Sequence, residues 1–117
     1  MHTHVKTIDC TLSTVDTRTL ERRLARIERL VPRVEPDLMH LRLVVERHPR
    51  RVEFRCSLTL TLEDAVLSAT RQHSPAVHTL LTQAFDRLEG QLNRRREERL
   101  DRRTRASQGD VEAAITG

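Results

Sequence analysis

At 117 residues the chain is the usual size of one domain, and 37% apolar content supplies a single modest core. No signal-peptide pattern opens it and no run approaches the roughly 18 apolar residues of a membrane span, so a cytoplasmic protein without a membrane partner is expected. The formal charge of +4 is unevenly placed: seven arginines against three acidic residues between Arg94 and Arg105 account for all of it, and the remainder balances. Such a segment suits a surface that meets phosphates.

The first element, His4 to Leu12, carries Ile8, Cys10 and Leu12 at period two and predicts a strand with one buried face. Asp16 or Thr17 is the expected cap of a helix in which Leu20, Leu24, Ile27 and Val31 form a narrow apolar stripe, ended by Pro32 and Pro36. Met39, Leu41, Leu43 and Val45 then alternate with polar residues. After the turn His48-Pro49-Arg50 the alternation resumes from Val52 to Leu62, which predicts an antiparallel hairpin. Glu63-Asp64 turns the chain into a fourth strand, Ala65 to Arg71. Ser74-Pro75 is the expected start of a second helix whose core face is Val77, Leu80, Leu81, Ala84, Phe85, Leu88 and Leu92. Arg95, Arg99 and Arg102 continue that face, which no core accepts, so the helix is expected to overrun the sheet. Residues 1–105 form the expected single domain, and 106–117, small and polar without periodicity, a disordered tail. The order predicts an α+β two-layer βαβββα sandwich, two helices on one face of a four-stranded sheet, with the first strand parallel to the second.

No residue pattern supplies an enzyme. The six histidines have no nucleophile elbow, zinc-protease or phosphate-loop motif beside them. Cys10 and Cys56 fit inert, reduced core thiols. No cofactor or metal is expected, His2 with His4 being only a two-point site. On the first helix, however, Arg18, Arg22, Arg26 and Arg29 project within about 80° of one another at 100° per residue, opposite the apolar stripe. Like charges at these spacings repel by roughly 0.2 to 0.5 kcal/mol per pair, a penalty that an anionic partner removes. Two basic helical surfaces on one domain favour nucleic acid. The chain has no Trp or Tyr, and Phe54 and Phe85 belong to core stripes, so base stacking is excluded and contacts to structured RNA remain.

The run Asp86-Arg87-Leu88-Glu89-Gly90-Gln91-Leu92-Asn93-Arg94-Arg95-Arg96 resembles the D-K/R-L-x-x-Q-L motif and following basic residues of ribosome hibernation-promoting factors and ribosome-associated inhibitor A, also described as sigma-factor modulators. Leu24-Ala25-Arg26-Ile27-Glu28 is similar to that family's first helix, and the element order agrees over about residues 4 to 103. The resemblance implies a fold similar to double-stranded-RNA-binding domains. It also implies a short-type factor that binds the small ribosomal subunit and its rRNA under stress and occludes the mRNA and tRNA sites. No small-molecule substrate is implied, and off the ribosome a monomer is expected. The expected RNA-binding residues are Arg18, Arg22, Arg26 and Arg29 from the wheel, and Arg94, Arg95, Arg96, Arg99, Arg102 and Arg103 from the segment after the motif. The entry to the second helix, Gln72 to His78, lacks the family's aromatic residue. Two alternatives stay open: a general structured-RNA-binding module, and a regulatory module that docks an acidic protein.

Overall fold

Alternating side chains build the sheet. In the computed structural model, which describes the backbone of residues 1–31 and 35–116 and the side chains of these except 36, 71–73 and 99–116, β2 (His40–Arg47) and β3 (Phe54–Thr61) are antiparallel. Leu41, Leu43 and Val45 stand beside Leu60, Leu58 and Cys56, all buried. β4 (Val66–Ser74) pairs antiparallel with β3, and β1 (His2–Ile8) pairs in parallel with β2, giving the order β1-β2-β3-β4. The parallel pair needs a crossover, which α1 (Thr14–Leu30) supplies, and α2 (Val77–Thr116) follows β4. Leu20 and Ile27 of α1 share one core with Leu80, Leu81, Phe85, Leu88 and Leu92 of α2 and with the inward strand residues. Both helices therefore lie on one face, and the α+β βαβββα sandwich is the architecture.

Several boundaries differ from the sequence pattern, each for a local reason. β1 begins at His2 and stops at Ile8, because Asp9 takes a positive φ of 56° and turns the chain out of the sheet. Ile8 pairs with Glu46 and so belongs to the face away from the helices. Cys10 and Leu12 still pack against the core, but from the β1–α1 connection, where the Cys10 thiol donates to the Val45 carbonyl at 3.4 Å. Ser13, not Asp16 or Thr17, caps α1: its hydroxyl accepts from the Asp16 amide at 3.1 Å. Asp16 then sits in the first turn, where its charge suits the helix dipole. Val52 is 76% exposed in the β2–β3 turn, and β3 starts only at Phe54. Pro75 precedes α2 rather than opening it. The first helical hydrogen bond runs from the Leu80 amide to the Ala76 carbonyl, while the Ser74 hydroxyl accepts from the Ala76 amide.

Leu92 is the last core residue of α2 among the described residues. The helix runs on to Thr116, although an irregular segment was the expectation from 106; no proline follows Pro75, and the intervening Arg, Glu and Ala residues are good helix formers. At 1.5 Å per residue its 40 residues span about 60 Å, which accounts for a molecule 69 Å long and only 27 Å across. Pro32, expected to end α1, lies outside the described residues.

Candidate nucleic-acid interface

The two helices are joined by charge. Glu89 of α2 is only 6% exposed, and it is compensated by two arginines of α1, Arg23 at 3.5 Å and Arg26 through Nε at 3.4 Å. Arg23 also pairs with Asp86 and lies over the Phe85 ring, 5.8 Å from its centroid. At the start of the helices His78 stands 3.9 Å from Asp16. These pairs have nearly constant sequence offsets of 62 or 63 residues, so α1 and α2 run parallel and in step. By the same offset Arg29 stands level with Leu92, immediately before the arginines of α2 begin.

The four ladder arginines, Arg18, Arg22, Arg26 and Arg29, are all exposed. Arg22, Arg26 and Arg29 line one groove between the helices, of about 470 Å³, with Thr19, Arg23 and the α2 residues His78 and Thr82. Arg18 is not part of it. On α2, Arg94 and Arg96 are exposed and have no ion pair among the described residues. Arg95 differs: it is largely covered and pairs with Asp64 at the tip of the β3–β4 turn. The side chains of Arg99, Arg102 and Arg103 lie outside the described residues. Exposed arginines thus stand on both helices: Arg22, Arg26 and Arg29 along the groove, and Arg94 and Arg96 on the part of α2 beyond Leu92.

The family model described as sigma 54 modulation protein / S30EA ribosomal protein matches residues 4–100. The chain belongs to this family. Its members are ribosome-associated modulation proteins, a non-enzymatic class. Solved structures share the fold, among them the following two. The N-terminal domain of Thermus thermophilus Protein Y matches with a TM-score of 0.65 at 18% identity, covering 80% of this chain and 98% of that one. A ribosomal subunit interface protein from Coxiella burnetii matches with a TM-score of 0.63 at 15% identity, covering 83% and 99%. No curated protein matches the sequence.

The family motif on α2 proves to be architectural. Asp86 holds α1 through Arg23, Leu88 and Leu92 fill the core, and the Gln91 amide donates to the Ser68 carbonyl of β4 at 2.9 Å. Asp86, Leu88, Gln91 and Leu92 thereby fix the helix against α1 and the sheet. Sequence reasoning missed Arg23, Thr19, Glu89 and Asp64. The wheel does contain a signal: Arg23 falls about 40° from Ile27, and Glu89 about 40° from Phe85, so both border apolar stripes where a charge needs a partner. Among the described residues no group of three His, Cys, Asp or Glu could hold a metal ion, and no helix is long and apolar enough to cross a membrane. His40 stacks on His2 on the open sheet face, ring centroids 4.8 Å apart.

Proposed function

We propose that this chain binds the small ribosomal subunit through its rRNA and inhibits translation under stress by occupying the mRNA and tRNA path. The observation that carries the reading is the set of exposed arginines on both helices, Arg22, Arg26 and Arg29 on α1 and Arg94 and Arg96 on α2, on a member of a ribosome-associated family. Arg18, Arg99, Arg102 and Arg103 are assigned to the proposed RNA surface on the sequence pattern. Arg95 is assigned a different part, holding the helix through Asp64. The names of the fold neighbours, a Protein Y domain and a ribosomal subunit interface protein, agree with this reading. The protein acts in the cytoplasm and is a monomer off the ribosome.

The test compares two charge reversals of equal size. Arg94→Glu with Arg96→Glu alters α2 beyond the core; Arg50→Glu with Arg51→Glu alters the β2–β3 turn. Screening beyond about 8 to 10 Å makes local contacts outweigh the general field, so the first pair abolishes inhibition of cell-free translation and cosedimentation with small subunits, while the second only reduces them. Equal losses from the two pairs would leave bulk charge as the sole determinant and sink the located site. Equal binding of unrelated duplex RNA would instead establish a general structured-RNA module.

A further inference from the structure

β1 forms one edge of the sheet and pairs with β2 alone, in a regular register from His2 to Ile8. The His2 amide donates to the Met39 carbonyl at 2.8 Å, so in this parallel ladder His2, His4, Lys6 and Ile8 turn their amides and carbonyls toward β2. The amides and carbonyls of Thr3, Val5 and Thr7 therefore point out of the sheet, and no backbone partner for them lies among the described residues. Their side chains share the helix-ward face with Leu41, Leu43 and Val45, yet all three are exposed, Val5 by 38%, because the helical layer leaves β1 uncovered. The other edge differs: α2 packs on β4, and its Gln91 donates to the Ser68 carbonyl. Natural sheets blunt an open edge with proline, a bulge or charge, and in β1 only charge is present. On the open face His2, His4 and Lys6 stand beside His40, Arg42 and Val44 of β2. Lys6 and Arg42 have no ion pair among the described residues. The carboxylates nearby lie at the ends of the row, Asp37 3.9 Å from His2, and Glu46 beside Ile8 and opposite Arg55. A second copy of the chain fits this edge poorly, since antiparallel pairing of β1 with itself sets Lys6 opposite a histidine or the lysine of the copy.

We propose that the open edge of β1 is a docking site for an extended acidic segment of a partner protein, which joins the sheet as a fifth strand. The backbone of that segment bonds the outward amides and carbonyls of Thr3, Val5 and Thr7. Its residues opposite His4 and Lys6 are acidic, and an apolar residue opposite Val5 covers the exposed side chain. The surface is separate from the arginines of the two helices and does not rest on the ribosome reading.

The probe is a capped Glu-Val-Glu-Val-Glu-Val-Glu peptide, titrated into the full chain and followed by NMR. The expected result is saturable shifts of β1 and the adjoining face of β2, with hydrogen exchange slowed at the Thr3, Val5 and Thr7 amides. A Glu-Pro-Glu-Pro-Glu-Pro-Glu peptide carries the same charge but lacks the pairing amides, and it should slow none of the three. Lys6→Glu should weaken the first peptide about fivefold by setting like charges opposite one another. Val5→Pro removes an outward amide at an edge position that accepts proline, and should weaken it about tenfold. Both variants should melt with the parent; if Val5→Pro melts lower, Lys6→Glu and the proline peptide decide. Absence of saturable shifts, or an equal response to the two peptides, leaves at most charge attraction and overturns the docked strand. Slow exchange at the three amides without peptide, together with a dimer at sedimentation equilibrium, makes a second copy the occupant and overturns it as well. A duplex RNA that displaces the peptide and protects the same amides overturns it in favour of RNA.

Discussion

Glu89 shows how a charge survives inside this fold. Its carboxylate leaves water only because Arg23 and Arg26 of the facing helix compensate it, and Arg23 is itself largely covered. Glu89→Ala strands Arg23 with Asp86 alone and should cost about 2 to 3 kcal/mol, less than the 3 to 5 of a fully buried pair because Arg26 is largely exposed. Urea denaturation measures it, and a loss below half a kcal/mol would reduce the pair to a surface contact. Cys56 offers a second residue-scale expectation. Burial pushes its thiol from an ordinary 9.0 up to about 11. A pKa raised by folding contributes stability that is complete below the unfolded value and is lost as pH rises through the folded one. Folding stability should therefore decline between about pH 9 and 11, by up to roughly 2 to 3 kcal/mol at 1.36 per unit. Cys56→Ala, though less stable overall, should show a flatter profile by thermal melts across that range.

Among the elements, the β2–β3 hairpin was the most legible, because strict alternation from Leu41 to Val45 and from Cys56 to Leu60 admits one buried face. The β1 boundary was not legible: period two runs on through Cys10 and Leu12, and nothing in composition announces that Asp9 adopts a left-handed conformation and ends the strand. The arginine ladder could be drawn on a wheel, but its division of labour could not. That division depends on α1 and α2 lying in step, a relation between elements that no single helix encodes. The part of α2 beyond the sheet yields an element-scale prediction. Deleting residues after Leu100 removes three arginines and three acidic residues, so the formal charge stays at +4. It removes none of the core residues among the described ones. The truncated chain should melt with the parent in a thermal scan yet bind small subunits more weakly, and unchanged binding would confine the RNA surface to residues before 101. A lower melting temperature would mean that the segment packs on the core.

The whole molecule combines a sheet-backed body with one long cationic edge. Association of such an edge with RNA releases condensed counterions, so log affinity for small subunits should fall linearly with log salt, and Arg94→Glu with Arg96→Glu should flatten the slope. Filter binding across a salt series measures both, and a salt-independent affinity would favour an acidic protein as the partner. The Arg95–Asp64 pair adds a consequence of another kind. It is the last described tether between α2 and the sheet, beyond Leu92 and Gln91, and the helix beyond it is a lever whose tip moves farther than its fulcrum. Asp64→Ala makes the protein more positive, which by attraction alone tightens its hold on a polyanion. If direction governs, the same substitution weakens binding, because loosening the fulcrum spreads the tip over many bearings and few of them meet the RNA. A variant with more charge and less affinity would identify α2 as an aimed arm, and tighter binding would reduce it to a charged thread.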